Sequence, residues 1–234
     1  MKPIAHVHSP FGEKFGIPRQ SGLAGKVRAQ IIFEPEFRNP DALRGLEGFD
    51  YIWILWEFSG NGPRWEPTVR PPRLGGNRRM GVFATRSTFR PNPIGLSSVR
   101  LERIFIDPEN GPVIEVSGAD LMDGTPVFDI KPYIEYADSH PGASAGWLDT
   151  LREHHLKVEW TLEAEASALA AGCGKDTAAA IEEILSLDPR PAYIDDPERE
   201  YGILYSGFNV RFRVCGSTLT VMTVCFNNMN CGHQ

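Results

Sequence analysis

Glycine and proline punctuate this chain and divide it into short apolar runs of strand length. There are 23 Gly and 19 Pro among 234 residues. The run at 51–58, YIWILWEF, is rich in β-branched and aromatic residues, which predicts a strand buried on both faces. Shorter runs predict further strands at 4–8, 27–33, 82–85, 95–105, 113–118 and 127–130. Short strands separated by turns are typical of a barrel or sandwich, so we expect a mainly β fold.

The pattern changes after about residue 137. Residues 138–146 are polar and turn-rich, which predicts a linker. Beyond it we expect a strand at 158–162 and an amphipathic helix at 176–187. Three alternating runs then predict hairpins, at 201–205, 208–214 and 218–226. The sequence therefore predicts two domains, a β-barrel at 1–140 and a small α+β domain at 150–234.

Positive charge is concentrated in one segment, although the formal net charge of the chain is −6. Residues 64–90 contain a single acidic residue, Glu66, and seven arginines. Much of this segment, 59–81, has no hydrophobic period and is predicted to be a long loop of the kind that carries function. The arginines are Arg64, Arg70, Arg73, Arg78, Arg79, Arg86 and Arg90.

Several functional classes find no support in the sequence. There is no G-x-G-x-x-G motif after a strand and no G-x-x-x-x-G-K-[ST], so dinucleotide binding on a Rossmann turn and P-loop chemistry are not indicated. The G-x-S-x-G and H-E-x-x-H motifs are absent as well. The four cysteines form no C-x-x-C pair, and we predict no metal site. No apolar stretch approaches the roughly 20 residues that span a bilayer, so we expect a cytoplasmic protein.

Three polar, turn-rich segments interrupt the strand-like sequence, at 18–20 (PRQ), 70–95 and 120–133. Each alone can be a simple tight turn, but together they favour a site assembled at one end of a barrel. Arg86 and Arg90 suit recognition of a carboxylate or phosphate, or simple solvation of the surface. The acidic residues near Lys131 suit either an ion-pair network or binding of an ammonium group. They are Asp120, Asp123 and Asp129.

These segments also contain long strings that resemble a known family. The strings are PRQ-x-G at 18–22, L-x-G-L-E-x-F at 43–49, YIWILW at 51–56, GVFATRSTFRPNPIG at 81–95 and DL-x-DGTPV-x-DIKPY at 120–133. The likeness continues through DPRPAY at 188–193 and FNVR-x-RV at 208–214. On these residues the chain is similar to the TsaA-like family, whose members are also called YaeB or TrmO, over nearly its whole length.

The resemblance implies a TsaA-like β-barrel that binds S-adenosyl-L-methionine, forms a homodimer and methylates tRNA. The implied reaction is N6-methylation of N6-threonylcarbamoyladenosine (t6A), next to the anticodon of threonine tRNA. The implied cofactor-binding residues are Pro18, Arg19, Gln20, Ser59, Gly60, Arg86, Leu96, Asp123, Gly124, Thr125 and Pro126. The implied tRNA-binding residues are Arg64, Arg70, Arg73, Arg78 and Arg79 for the phosphates of the anticodon stem-loop, with Tyr193 as a stacking platform.

One position departs from the family pattern. Relatives have His-Gln after the apolar strand, whereas this chain has Ser59 and Gly60, so the contribution of those side chains to the cofactor site is lost. For the chemistry, the hypothesis is that one carboxylate among Asp120, Asp123 and Asp129 acts as the general base.

The sequence is also compatible with two other functions. The first is a catalytically silent sensor or regulatory protein that binds S-adenosylmethionine on the same barrel, which the Ser59-Gly60 departure favours. The second is a non-enzymatic RNA-binding module built on the basic loop, which the intact PRQ and DGTP segments disfavour. A sensor binds the cofactor without turnover, and an RNA-binding module is indifferent to it.

Overall fold

A computed structural model describes residues 1–60, 65–74, 78–151, 155–190 and 196–226. The described chain is mainly β, which confirms the predicted class. Its strands are β1 (Ala5–His8), β2 (Arg28–Phe33), β3 (Tyr51–Glu57), β4 (Thr68–Val69), β5 (Met80–Gly81), β6 (Ile94–Asp107), β7 (Gly111–Ser117), β8 (Pro126–Pro132), β9 (Lys157–Trp160), β10 (Tyr201–Tyr205), β11 (Phe208–Cys215) and β12 (Thr218–Phe226). Its α-helices are α1 (Glu135–Asp138), α2 (Leu162–Ala170) and α3 (Lys175–Ser186). Single 3₁₀ turns occupy Pro35–Phe37, Pro40–Leu43, Leu46–Gly48, Pro72–Leu74, Val82–Ala84 and Gly146–Thr150.

Six strands close into a barrel in the order β1-β2-β7-β6-β3-β8, and every pairing within it is antiparallel. Alternate side chains fill the interior, as the period of a strand requires. In β3, Ile52, Ile54 and Trp56 point inwards and are buried, while Tyr51 is exposed. The prediction that this strand is buried on both faces is therefore wrong, because one face of a closed antiparallel barrel lies outside.

The C-terminal part is built on a second sheet. Its strands follow the order β10-β11-β12-β9, with β9 parallel to β12, and helices α2 and α3 belong to the same core. Buried residues of this core include Ile181, Phe212 and Leu219. Within the described residues, no helix is long and apolar enough to cross a membrane.

The segment between β1 and β2 connects the two parts. Phe11, Ala24 and Val27 are buried in the core of the C-terminal sheet rather than inside the barrel. The ring of Phe11 meets that of Tyr205 edge-on, with 5.4 Å between their centroids. The second core therefore contains side chains from the first 30 residues of the chain.

Some predicted elements differ from the structure. Residues 82–85 were expected to form a strand, but Val82–Ala84 is a 3₁₀ turn whose first amide donates to the carbonyl of Pro67. The loop predicted at 59–81 contains the short β4–β5 hairpin. Helix α2 is not predicted by the sequence pattern, because Leu162 and Leu169 are exposed and only two of its alanines are buried.

Candidate active site

All three polar segments have residues at one end of the barrel, where β1, β3 and β7 end and β2, β6 and β8 begin, while the last part of segment 120–133 runs along β8 towards the other end. This follows from the pairing, since antiparallel neighbours that are consecutive around a closed sheet alternate in direction. The connections at this end are the segments 9–27, 58–93 and 118–125. The predicted site residues on these connections therefore share one rim of the barrel.

Arg86 and Gln20 meet at this rim. The guanidinium of Arg86 donates a hydrogen bond to Oε1 of Gln20, which joins the second segment to the first. The backbone before Arg86 is braced from two sides. Arg90 donates to the carbonyls of Val82 and Thr85 at 3.2 and 2.8 Å, and the indole of Trp147 donates to the carbonyl of Ala84 at 2.8 Å. An exposed arginine is thus carried by a fixed turn.

Asp120 lies at the centre of a hydrogen-bonded chain that reaches into the barrel. The hydroxyl of Ser97 donates to Oδ1 of Asp120 at 2.6 Å, and the indole of Trp56 donates to Oγ of Ser97 at 3.0 Å. The backbone amide of Ser21 donates to the same carboxylate, and the charge of Arg86 acts on it. Burial nevertheless raises the pKa of Asp120 above its ordinary value, because these partners only partly offset the loss of hydration.

Gly95 allows Trp56 to occupy this position. A Cβ at residue 95 would lie 2.2 Å from Cε2 of the Trp56 indole, which is closer than any real side-chain contact. Trp56 and Gly95 are directly paired residues of β3 and β6, so the ring lies across the backbone of its neighbour. Within the NPIG string at 92–95, Gly95 therefore provides the space that the Trp56 ring occupies, in addition to any role of the string in a turn.

The turn Asp123-Gly124-Thr125-Pro126 leads into β8 and is held against β1. Oδ1 of Asp123 accepts from the backbone amide of Ser9 at 2.9 Å and lies 2.9 Å from Nδ1 of His8. Gly124 has a φ of 75° and donates its amide to the carbonyl of Val7 at 2.8 Å. Asp123 thus has a structural role at the turn, and the turn presents backbone groups to the rim.

Asp129 differs from the other two carboxylates. It lies on β8 in register with Leu55 of β3, which in turn pairs with Leu96 of β6. Its carboxylate is 2.8 Å from Nζ of Lys131 and also accepts from the amide of Ile130 at 2.9 Å. The three aspartates that spacing could not distinguish therefore have three different sets of partners.

Leu96 and the Ser59-Gly60 pair also lie at this rim. Leu96 is 54% exposed, although it is a large apolar residue within a strand. The carbonyl of Gly60 accepts from Nζ of Lys14 at 3.2 Å, which connects the end of β3 to the segment that contains PRQ. An exposed apolar side chain within a polar rim is a common feature of ligand sites.

Arg19 connects the rim to the C-terminal part. Its guanidinium donates to the backbone carbonyls of Asp188 at 3.1 Å and Arg190 at 3.5 Å. Partial burial and the neighbouring charge of Arg73 lower the pKa of Arg19. Sequence reasoning did not include Asp188 and Arg190 among the site residues, although the DPRPAY string at 188–193 was a signal for them. Pro18, next to Arg19, is buried.

The predicted tRNA-binding arginines are only partly alike. Arg70, Arg73 and Arg78 are exposed. Arg79 is also exposed, but its guanidinium donates to the hydroxyl and carbonyl of Thr68 at 2.7 and 2.9 Å and so braces the β4–β5 hairpin. The remaining two predicted residues, Arg64 and Tyr193, lie outside the described residues.

Two protein-family models match this chain. A family model described as the tRNA-methyltransferase O N-terminal domain matches residues 6–139. A second, described as the TrmO C-terminal domain, matches residues 153–226. Together the two models cover most of the chain.

Individual relatives are similar over almost the full length. The chain is 42% identical over 225 residues to the Escherichia coli K12 protein named tRNA (adenine(37)-N6)-methyltransferase, covering 94% of this chain and 95% of that protein. It is 46% identical over 209 residues to a Pseudomonas aeruginosa protein named putative S-adenosylmethionine-dependent methyltransferase RcsF, covering 87% of each. A crystal structure of TrmO from P. aeruginosa matches with a TM-score of 0.79 at 37% identity, covering 96% of this chain and 95% of that one.

Proposed function

The chain belongs to the tRNA-methyltransferase O family, a family of methyltransferases, and on that premise we propose that it N6-methylates adenosine 37 of tRNA with S-adenosyl-L-methionine. We further propose that the substrate is t6A in threonine tRNA. The observation that carries the proposal is the meeting of the three segments at the barrel rim. Arg86 donates a hydrogen bond to Gln20, and the charge of Arg86 also acts on Asp120.

The residues at the rim fit the proposed cofactor. S-adenosylmethionine combines a carboxylate, an apolar adenine face and a sulfonium cation. The guanidinium of Arg86 suits the carboxylate, exposed Leu96 suits the adenine, and backbone groups of the Asp123–Pro126 turn suit the polar edges. When bound, the cofactor supplies an electrophilic methyl group, which is the chemistry that the protein itself lacks.

The contribution of the protein is then to hold the acceptor nitrogen and the cofactor in line. In t6A this nitrogen is urea-like and a weak nucleophile, so positioning and removal of its proton both matter. Positioning contributes on the order of 7–11 kcal/mol in favourable intramolecular cases. The braced turn before Arg86 and the hydrogen bonds around Asp120 are of the kind that such positioning requires.

For the RNA, we propose that Arg70, Arg73 and Arg78 contact phosphates of the anticodon stem-loop, and we retain Arg64 and Tyr193 as predicted contacts. The support is the exposure of the three described arginines near the rim together with the position of Arg73 close to Arg19. Arg79 is a weaker candidate, because its guanidinium is engaged by Thr68.

We also propose that the protein is a homodimer. Phe83 is 74% exposed and Phe89 46%, and both belong to the rim segment 58–93. Exposed apolar groups of this kind suit contact with a second copy. Light scattering coupled to size-exclusion chromatography measures the mass directly, and a monomeric mass at micromolar concentration contradicts the proposal.

Methyl transfer tests the proposed function. Total tRNA from a strain that lacks the gene is incubated with the protein and radiolabelled S-adenosylmethionine, and the nucleosides are then separated. We expect label in methylated t6A with wild-type protein, and none with Arg86→Ala. Saturable cofactor binding without transfer supports the sensor alternative, and label in an adenosine without the threonylcarbamoyl group contradicts the t6A assignment.

A further inference from the structure

Asp120 differs from the other two candidate carboxylates in what surrounds it. A general base must be charged before the reaction, lie close to the acceptor and lack a partner that permanently neutralises it. Asp129 forms an ion pair with Lys131, and Asp123 accepts from the Ser9 amide and contacts His8. Asp129 is therefore engaged by its own strand and Asp123 by strand β1, whereas Asp120 is the carboxylate that lies beside Arg86.

We propose that Asp120 is the general base of the methyl transfer and that Ser97, itself held by Trp56, is its positioning residue. The inference rests on the proposed function. In the step, the lone pair of the acceptor nitrogen forms the new N–C bond while the methyl–sulfur bond breaks and leaves its electron pair on sulfur. The N–H proton passes to a carboxylate oxygen of Asp120, so the positive charge of the sulfonium is balanced by neutralisation of the carboxylate.

The geometry provides a reason for each partner. Ser97 is 1% exposed. Its hydroxyl donates a hydrogen bond to Asp120 and accepts one from the indole of Trp56. This fixes the hydroxyl and therefore the carboxylate orientation. Asp120 itself remains partly exposed, so a substrate atom can reach it.

The electrostatics are also suited to a base. The burial that raises the pKa of Asp120 makes its ionised form more basic than a free aspartate. Among the described residues, Arg86 is the charged side chain whose field lowers that pKa, and the Ser97 hydroxyl and Ser21 amide act in the same direction. These groups oppose the effect of burial and favour the ionised form of the carboxylate.

The first test uses the free protein. Carbon NMR of ¹³C-labelled aspartate reports the titration of Asp120 without cofactor or RNA. We expect its midpoint above that of an ordinary aspartate, and a further rise in Ser97→Ala, because that variant removes a hydrogen bond to the charged form. Ser97→Thr retains the hydroxyl and should return the midpoint towards the wild-type value. A midpoint unchanged in Ser97→Ala overturns the positioning role.

The second test is the pH profile of single-turnover methyl transfer, with cofactor and tRNA affinities measured in parallel. We expect Asp120→Asn to lower the rate roughly 10²–10⁴-fold while both ligands still bind, and Ser97→Ala to shift the acidic limb to higher pH. Asp107→Asn, at the opposite end of β6, is the matched control and should follow wild type. Near-normal transfer by Asp120→Asn overturns the assignment, whereas absence of transfer by the wild type refutes the proposed function instead.

Discussion

Arg19 and Asp188 join the two parts of the molecule, since the guanidinium of Arg19 donates to the backbone carbonyl of Asp188 at 3.1 Å. Asp188 adopts a φ of 51°, in the left-handed region, and its carboxylate forms two hydrogen bonds of 2.8 and 3.0 Å with the guanidinium of Arg190. The segment after α3 is therefore fixed at the point where it meets PRQ. The C-terminal part thereby contributes to the shape of the rim.

Replacement of Asp188 tests this connection. Asp188→Ala removes a charge-assisted pair and places alanine in a left-handed conformation, so we expect the free energy of unfolding to fall by roughly 2–4 kcal/mol. Asp188→Asn tolerates the same conformation and should lose less. Urea unfolding measures both, and equal losses in the two variants contradict the role assigned to the backbone conformation.

The pH dependence of that stability has a definite sign. Partial burial alone would raise the pKa of Asp188, but the hydrogen bonds and charge of Arg190 outweigh it and leave the pKa below its ordinary value. The contribution of the carboxylate is therefore complete above about pH 4, the ordinary aspartate value, and is lost as the pH falls through the lower pKa of the folded state. The stability difference between wild type and Asp188→Asn should shrink accordingly in urea titrations at decreasing pH. A constant difference contradicts the assignment.

Gly95→Ala tests the packing beneath the rim. The added methyl would lie 2.2 Å from the Trp56 ring, so the indole must move and lose its hydrogen bond to Ser97. We expect a loss of about 1–3 kcal/mol in the free energy of unfolding and slower methyl transfer. Gly48→Ala is the matched control, because nothing lies within 4 Å of the position of its Cβ. Thermal unfolding curves compare the two, and similar midpoints contradict this account.

The local elements could largely be predicted from the sequence, because alternation and turn residues are local signals. Runs such as 201–205 and 218–226 have the bounds of strands β10 and β12. Val82–Ala84 was mistaken for a strand because its apolar residues are too few to establish a period. Helix α2 is not predicted because its leucines are exposed and its buried residues are alanines, so the sequence shows no clear apolar period. The remaining signal is the N-cap, where the side chain of Thr161 accepts a hydrogen bond from the amide of Ala164.

The contacts of the site could not be predicted in the same way. The pairs Ser97–Asp120 and Arg19–Asp188 join residues far apart in sequence, and hydrophobic period carries no information on which loops meet. Spacing placed Asp120, Asp123 and Asp129 together as equivalent candidates. Only their partners distinguish them, since an ion pair, a turn and a buried serine give three different environments.

Truncation tests the proposed division into a barrel at 1–140 and a domain at 150–234. A fragment of residues 1–140 exposes Phe11, Ala24 and Val27, which the full chain buries in the C-terminal core. We expect this fragment to aggregate or to be cleaved by protease within 9–27 at rates well above the full chain. Limited proteolysis followed by mass spectrometry reports the sites. A protected 9–27 segment in the fragment contradicts the shared core.

Salt dependence tests the RNA-binding arginines. Each phosphate neutralised contributes about 0.7–0.9 to the magnitude of the slope of log K against log salt concentration, the lower figure applying to single strands and the upper to a DNA duplex. We expect Arg73→Ala and Arg78→Ala each to lower the magnitude of that slope by about this amount. Arg44→Ala is the control, because Arg44 is exposed and paired with Asp41, in a segment without predicted RNA contacts. Filter binding at several salt concentrations gives the slopes, and an unchanged slope in both variants moves the RNA surface elsewhere.

Introducing His-Gln, the pair that the family resemblance implies, at positions 59 and 60 tests whether Ser59 and Gly60 weaken cofactor binding. The carbonyl of Gly60 is held by Lys14, whose Cε lies 3.0 Å from the position of a Cβ at residue 60. Because this neighbour is the flexible end of a lysine, a larger side chain can displace it. We expect Ser59→His with Gly60→Gln to strengthen S-adenosylmethionine binding several-fold, since one added hydrogen bond contributes about 0.5–1.5 kcal/mol. Gly60→Ala adds bulk without polar atoms and should give no gain. Calorimetry measures the affinities, and equal affinities for the double variant and wild type mean that backbone groups already replace the missing side chains.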